Sequence, residues 1–241
     1  MSRFGAADLR VDAKPDLTPV TDADRDTEQL LRERLAQHRP ADAVVGEEFG
    51  DTGSATRRWV LDPIDGTKNF VRGVPVWATL IGLLEGDDPL VGVVSAPALG
   101  RRWWAERGGG AWCIAIGTQA RQLQVSAVRD LGDASLAYSE LTEWERAGRL
   151  APFLSLCLRV WRTRGFGDFW SYMLVAEGAA DLAAEPELAL WDMAALAPIV
   201  IEAGGTFTGL NGQPGPRHGS AVASNGVLHG AFLTALNPSA S

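Results

Sequence analysis

The most informative segment of the chain reads Leu61-Asp62-Pro63-Ile64-Asp65-Gly66-Thr67. It continues the apolar run Arg58-Trp59-Val60-Leu61, which predicts a strand that leads into a turn. Asp62 and Asp65 would then lie where a buried strand meets a loop, and their charges need a partner there. The proline and the glycine of the segment can direct both carboxylates and the Ile64 carbonyl toward one point. Hard oxygen ligands of this kind suit Mg2+.

The residues after the turn favour an anion next to this metal site. A helical turn that starts near Thr67 would direct free backbone N–H groups at an anion, and phosphate is the natural candidate. The alternative is an ordinary turn, in which Asp65-Gly66 supplies the hairpin and Asp62 is a local cap.

Three other acidic segments bear on this choice. Each of them alone is also consistent with a solvated loop charge, a helix N-terminal acid or an N-cap. The segments are Thr21-Asp22-Ala23-Asp24-Arg25, Gly46-Glu47-Glu48 after the apolar Ala43-Val44-Val45, and Trp191-Asp192 at the start of a helical pattern.

Four motifs therefore follow one another along the chain: Val20-Thr21-Asp22-Ala23-Asp24, Gly46-Glu47-Glu48, Asp62-Pro63-Ile64-Asp65-Gly66-Thr67 and Trp191-Asp192. In this order and at these separations they resemble the inositol monophosphatase family of Mg2+-dependent, lithium-sensitive phosphatases. The resemblance extends from about Lys14 to about Asn225. It implies an α/β fold, a layered α-β-α-β-α sandwich of the inositol monophosphatase and fructose-1,6-bisphosphatase type, and a homodimer.

Three further segments resemble one branch of that family, the histidinol-phosphate phosphatases of actinobacterial type. They are Asn69-Phe70-Val71-Arg72-Gly73-Val74-Pro75-Val76-Trp77, Ser95-Ala96-Pro97-Ala98 and Arg101-Arg102-Trp103-Trp104. The implied reaction is hydrolysis of L-histidinol phosphate to L-histidinol and phosphate by a metal-activated water.

The resemblance also implies roles for individual residues. One Mg2+ would bind Glu47, Asp62 and the Ile64 carbonyl, a second would bind Asp62, Asp65 and Asp192, and a third, weaker ion would lie beside Glu47, with Mn2+ as a substitute. Two such ions can clamp the attacking and leaving oxygens of an in-line displacement. The expected catalytic residues are Asp24 and Thr67, as a hydrogen-bonded pair that orients and deprotonates the water, together with Glu47. The expected substrate-binding residues are Asp65, Gly66, Thr67, Arg164, Gly167, Asp168, Glu185 and Asp192.

Substrate choice is expected to depend on the second half of the chain. Histidinol phosphate carries an ammonium and a protonatable imidazole, so the carboxylates of Asp168 and Glu185 and the ring of Trp77 would favour it over uncharged inositol. Core packing is an equal alternative for Trp77. Arg164 is expected to pair with Asp168 or Glu185 and to hold the loop, and Lys14 is expected to be solvated, with the anchoring of an outer anion as the alternative.

Other functions remain to be weighed. Within the same chemistry, the rivals are hydrolysis of inositol 1-phosphate and, behind it, of nucleotides or fructose bisphosphate. A haloacid-dehalogenase-type phosphatase would use Asp22-Ala23-Asp24 after a strand, but Leu17-Thr18-Pro19-Val20 is a poor strand and residues 62–67 would go unexplained. An idle relative that acts as a regulatory partner is the non-enzymatic alternative.

Composition agrees with a globular enzyme. Of the 241 residues 46% are hydrophobic, which allows a sizeable core, and the formal net charge of -8 argues against a nucleic-acid or anionic-membrane surface. The only cysteines, Cys113 and Cys157, lie in apolar contexts and are expected to be reduced. No apolar run reaches about 18 residues and no secretory leader is recognisable, so we expect a cytoplasmic protein.

The pattern of elements predicts two halves in one unit, residues 1–125 with most metal ligands and residues 126–241 with the specificity residues and the last ligand. The first half is expected to hold a helix, Asp24 to His38, with leucines on its apolar side, and then mainly strands, including a hairpin through residues 86–89. Strands and helices alternate in the second half, where one helix is expected from Asp192 to Ala203. Because family members usually begin with a long helix that is not found before Lys14, an exposed apolar face is expected.

Overall fold

The structure, a computed structural model, describes residues 1–14 and 18–237. The strands are β1 (Val11–Ala13), β2 (Pro19–Thr21), β3 (Ala43–Gly46), β4 (Gly50–Thr52), β5 (Arg57–Asp65), β6 (Ala78–Glu85), β7 (Asp88–Ala96), β8 (Arg101–Glu106), β9 (Gly110–Ala115), β10 (Arg121–Gln122), β11 (Ser135–Ala137), β12 (Arg162–Arg164), β13 (Leu182–Glu185), β14 (Thr206–Thr208) and β15 (Ala221–Ser224). The α-helices are α1 (Asp22–His38), α2 (Thr67–Val71), α3 (Leu141–Arg146), α4 (Leu150–Cys157), α5 (Asp168–Ala176), α6 (Leu190–Ala194), α7 (Leu196–Glu202) and α8 (His229–Leu236).

Two large sheets organise these elements. The first has eight strands in the order β10-β9-β8-β7-β6-β5-β3-β4, and all its pairings are antiparallel except that of β3 with β5. The second has five strands in the order β12-β11-β13-β15-β14, in which β11 runs parallel to both its neighbours. Strands β1 and β2 form a separate antiparallel pair.

Helices lie between and outside the sheets. Helix α1 contacts β5, whereas α6 and α7 contact β5 to β9, and α5 links α7 to β13 and β15. Helices α4 and α8 pack on the far face of the smaller sheet with Leu136, Leu182 and Val222. The order of layers is α-β-α-β-α, so the predicted fold class is confirmed.

The main core fills the space between the sheets. Trp103 from the first sheet and Phe207 from the second are both buried in it, together with Phe169 and Met173 of α5. Burying a side chain such as that of Phe169 stabilises the fold by about 2 kcal/mol. Because one core joins the two sheets, they form one compact unit; the boundary at residue 125 stays a prediction.

The close approach of α6 and α7 to the first sheet requires small residues on the hairpin of β6 and β7. Gly82 and Gly92 are directly opposed there, and a Cβ on Gly92 would lie 2.1 Å from the Ala195 carbonyl oxygen. A side chain at either position would push the helices off the sheet.

The predicted helix from Asp192 to Ala203 is two helices in the structure, α6 and α7. Pro198 has no N–H to donate to the carbonyl of Ala194, so the hydrogen-bond ladder is interrupted where the first helix ends. The short α3, together with β9 and β10, was not anticipated, whereas the hairpin of β6 and β7 is as predicted.

Helix α1 buries a different face from the predicted one. Its buried residues are Ala23, Asp24 and Glu28, while Leu30 is 55% exposed. The Glu28 carboxylate is accommodated because it accepts the backbone N–H of Glu48 and Phe49 at 2.7 and 3.2 Å and pairs with Arg32.

The unburied leucines of α1 border an apolar groove on the first sheet. Leu30, Leu31, Ile81, Trp104 and Trp112 are among its lining residues, and its volume is about 720 Å3. This groove is separate from the cavity that holds the acidic motifs. The apolar face expected from the short N-terminal segment stays a prediction.

Within the described ranges, none of the helices has the length and the apolar character that a membrane crossing needs. Cys113 and Cys157 are both free thiols, as expected.

Candidate active site

The acidic segment around Asp62 is a distorted strand rather than a turn. Strand β5 continues to Asp65, but its register with β6 shifts between Asp62 and Asp65. Pro63 has no N–H for the ladder, and its carbonyl instead accepts the Thr79 hydroxyl at 2.9 Å. The irregularity allows two carboxylates from one strand to reach the same cavity.

Asp62, Asp65 and Asp192 converge in this cavity. Each contributes a carboxylate oxygen, and these oxygens all lie within 4.8 Å of one another. Asp65 Oδ2 accepts the backbone N–H of Phe169 at 2.7 Å, and Asp192 Oδ2 accepts that of Ala189 at 2.6 Å. Asp62 is 2% exposed and its Oδ1 has no hydrogen-bond partner.

Such a cluster is electrostatically unfavourable without cations. Burial raises the pKa of Asp62 and Asp65 well above the usual aspartate range, and repulsion from Glu47 acts further on Asp62. Burial likewise raises the pKa of Asp192 to about 7. Divalent cations would relieve both effects, so this donor set fits the hard metal ions that the sequence predicts.

Glu47 extends the cluster, but its carboxylate is paired with a lysine. Lys14 Nζ lies 2.5 Å from Glu47 Oε1 and 2.6 Å from Glu48 Oε1. The prediction that Lys14 is solvated is therefore wrong, because two acids at the mouth of the cavity attract its ammonium group.

Thr67 and Asp24 are neighbours, as the family resemblance implies. The Thr67 hydroxyl donates to the Ile64 carbonyl at 2.9 Å and lies 3.4 Å from Asp24 Oδ1. Asp24 is 1% exposed and accepts both the backbone N–H and the hydroxyl of Thr21 at 2.8 and 2.5 Å. Burial raises the pKa of Asp24 above its usual value.

Gly66 connects the acidic segment to the second half of the chain. Its φ is 82°, and a Cβ there would lie 2.9 Å from the Val76 carbonyl oxygen and 3.1 Å from Asp168 Oδ2. Asp168 itself has a φ of 50°, and its side chain accepts from Asn69 Nδ2 at 2.9 Å. A left-handed conformation at a residue other than glycine is uncommon, and hydrogen bonding holds it here.

Another buried acid lines the same cavity. Glu185 is 4% exposed; its Oε2 accepts the Ser139 hydroxyl at 2.8 Å, and its Oε1 has no partner. The buried hydroxyl of Tyr172 faces this carboxylate, and burial together with the charge of Glu185 raises the pKa of Tyr172. Ser139 accepts the Asp168 N–H at 2.9 Å as well, so one serine positions both acids.

The cavity has a volume of about 650 Å3 and collects most of the predicted site residues. It is lined by Glu47, Asp62, Ile64, Asp65, Gly66, Thr67, Asp168, Glu185 and Asp192, among others. Asp24, behind Thr67, and Gly167, next to Asp168, are not among the lining residues. Arg164 does not line the cavity either, and its guanidinium donates to the Thr163 carbonyl at 2.7 Å. Trp77 is 3% exposed and packs against Phe4 and Phe70, which favours its alternative role in the core.

Sequence reasoning missed Asn69, Ser139, Tyr172 and Glu143 at this site. Asn69 belongs to a quoted segment but was given no role. Ser139 precedes the short helix α3, Glu143 lies inside it and Tyr172 lies inside α5, and no motif marks these residues. A clustering of acids in Ser139-Glu140 to Glu143 was the one available signal.

Comparison with known proteins agrees with this geometry. The sequence model of the inositol monophosphatase family matches residues 1–240. The chain belongs to this family. Among its members, a histidinol-phosphatase of Streptomyces coelicolor is 62% identical over 241 residues, covering 98% of this chain and 91% of that protein. A histidinol-phosphatase of Mycobacterium tuberculosis is 59% identical over 236 residues, again covering 98% and 91%.

Solved structures of the family share the fold. The extragenic suppressor protein SuhB of Bartonella henselae matches with a TM-score of 0.87 and 30% sequence identity, over 98% of this chain and 92% of that chain. The layered sandwich and the family resemblance are therefore both confirmed.

Proposed function

We propose that the chain is a phosphomonoesterase that hydrolyses L-histidinol phosphate to L-histidinol and inorganic phosphate with the help of Mg2+. The observation that carries the proposal is one cavity that holds the converging carboxylates of Asp62, Asp65 and Asp192 and is also lined by the acids Asp168 and Glu185. The 62% identity to a histidinol-phosphatase over nearly the whole chain supports this substrate.

Glu47, Asp62, the Ile64 carbonyl, Asp65 and Asp192 are the proposed metal ligands. All are hard oxygen donors, and Mg2+, with Mn2+ as a substitute, is the matching class of ion. Two to three bound ions would supply the positive charge that neutralises the phosphate and acidifies a water molecule.

The chain itself orients the attacking water. We assign this role to the Thr67 hydroxyl, with Asp24 behind it to receive the proton. The raised pKa of Asp24 suits a proton acceptor, because a more basic carboxylate takes up a proton more readily. Glu47, at the metal end, completes the proposed catalytic set.

The phosphate and the alcohol of the substrate are bound by different parts of the cavity. Backbone N–H groups of Gly66 and Thr67 are proposed to hold phosphate oxygens at the start of α2. Asp168 and Glu185 are proposed to receive the alcohol, whose ammonium and imidazole can pair with their charges.

The proposed substrate is tested by turnover at fixed Mg2+. The value of kcat/KM is measured on L-histidinol phosphate and on inositol 1-phosphate with the same preparation, with an EDTA-treated control. The proposal expects a clear preference for L-histidinol phosphate and loss of activity in EDTA. A preference for inositol 1-phosphate would instead make the chain an inositol monophosphatase.

We also infer that the protein works as a cytoplasmic homodimer. The free state of Cys113 and Cys157 suits a reducing compartment, and the family resemblance suggests the dimer. Light scattering coupled to size exclusion gives the mass in solution, and a value near that of one chain would contradict the dimer.

A further inference from the structure

Three glutamates line the cavity beside the proposed alcohol site, and two of them are ion-paired whereas the third is not. Glu140 is paired with Lys68 at 2.7 Å, and Glu187 is paired with Arg146 at 3.0 Å. Glu143, on α3, has no ion pair within the described part of the chain, and its Oε2 is buried without a hydrogen-bond partner.

Glu185, which lines the same cavity, also has a buried carboxylate oxygen without a hydrogen-bond partner. It is 4% exposed and its Oε1 has no partner. Burial raises the pKa of Glu185 and of Glu143, and the charge of Glu143 contributes to the shift at Glu185. The two carboxylates thus act on each other across one cavity, and each has a buried oxygen without a hydrogen-bond partner. The charges of Lys68 and Arg146 act on Glu143 without forming an ion pair with it, and burial still raises its pKa.

A buried carboxylate oxygen without a partner is costly, and a cation compensates it better than a neutral hydroxyl does. A divalent metal ion is a poor occupant of this place. Among the described residues, the acids whose oxygens converge closely enough for a metal are Asp62, Asp65 and Asp192, and Glu143 is not one of them. An organic ammonium needs no such ligand set, since it can pair with a single carboxylate.

We propose that Glu143 is a specificity-determining residue that binds the protonated amine of the substrate's alcohol portion, above Glu185. This inference rests on the proposed function and assigns its preference for the phosphomonoester of an amino alcohol to one residue. Lys68 is paired with Glu140 and Arg146 with Glu187, and these cations act on Glu143 only at a distance. Glu143 is therefore the acid of the three that has no ion pair and can bind the ammonium.

The test compares a substrate that carries an ammonium group with two that lack it, in the variant Glu143→Gln. The value of kcat/KM is measured at pH 8, where imidazole is mostly neutral, on L-histidinol phosphate, on its N-acetyl derivative and on inositol 1-phosphate. Loss of one charge-assisted hydrogen bond predicts a decrease of roughly 10- to 100-fold on L-histidinol phosphate. The value of kcat/KM on the two substrates without an ammonium group should change by less than about threefold, which would also show that the variant is folded.

Glu145→Gln is the matched control, because Glu145 is on the same helix but is exposed and does not line the cavity. It should leave all three rates unchanged. If Glu143→Gln lowered kcat/KM equally on substrates with and without the ammonium group, or on none of them, the role of Glu143 would be overturned and the proposed function would stay intact. A wild-type protein that does not prefer L-histidinol phosphate to inositol 1-phosphate would overturn the proposed function and this inference with it.

Discussion

The carboxylate of Asp65 accepts a hydrogen bond from the backbone N–H of Phe169, with 2.7 Å between Oδ2 and the nitrogen. The two residues lie in different halves of the chain, at the end of β5 and in the first turn of α5. The bond therefore ties the proposed metal end of the cavity to the loop that presents Asp168. A displacement of Asp65 should therefore shift the loop that carries Asp168, and a displacement of that loop should shift Asp65.

Removing the charge of Asp65 should abolish turnover without unfolding the protein. In Asp65→Asn the amide oxygen can still accept from Phe169, but the cluster with Asp62 and Asp192 loses one anionic ligand. We expect kcat to fall by about 100-fold or more at saturating substrate, with a higher Mg2+ requirement. Asp26→Asn, an exposed acid on α1, is the control and should retain full activity. Full turnover by Asp65→Asn would refute the assigned site.

Without divalent ions, the stability of the protein should fall as pH rises from about 4 to about 7. A carboxylate with a higher pKa in the folded than in the unfolded state favours folding at low pH, and this contribution is lost as pH rises through the folded-state pKa. The pKa of Asp168 is raised from 3.8 to about 6 and that of Asp192 from 3.8 to about 7, which defines the window.

Thermal unfolding in EDTA at a series of pH values measures this effect. Added Mg2+ should restore the melting temperature at pH 7 and act little at pH 4, because protons and cations compete for the same oxygens. A melting temperature in EDTA that rises across this range would contradict the electrostatic account of the cluster.

Lys14 should compete with a metal ion for Glu47. Its ammonium lies 2.5 Å from the Glu47 carboxylate, and both side chains are largely shielded from solvent. In Lys14→Met the Mg2+ concentration for half-maximal activity should fall several-fold, which corresponds to about 1 kcal/mol. Arg25→Met removes an exposed pair with Asp12 and serves as the control. An increased Mg2+ requirement in Lys14→Met would show that Lys14 assists the site instead.

Gly66→Ala should destabilise the protein more than Gly73→Ala. Both glycines have positive φ, 82° and 71°, so each alanine incurs the strain of a left-handed conformation, about 1 kcal/mol. Only at Gly66 would the new Cβ also lie within 3 Å of a backbone atom, the Val76 carbonyl oxygen. We expect a loss in the free energy of unfolding of about 2–3 kcal/mol for Gly66→Ala, measured by urea denaturation, with reduced turnover. Equal losses for the two variants would contradict the close contact.

The sequence was sufficient for the family, the layered fold and the identity of the converging acids. Asp62, Asp65 and Asp192 could be named because each lies in a short motif with its own backbone signal, such as the proline of the first motif. The amphipathic and alternating patterns likewise predicted most helices and strands, since burial on one face imposes a period on the chain.

Other features depended on contacts between distant segments, which no local pattern records. Lys14 was expected in solvent, yet it pairs with Glu47, because chain packing rather than sequence decides which charges meet. The same reason explains why Arg164 lies outside the cavity, why the leucines of α1 face a groove, and why Glu143 has a buried oxygen without a hydrogen-bond partner. The types of chemical groups were written in the sequence, but their pairing and burial, and hence their charges, were decided only by the tertiary structure.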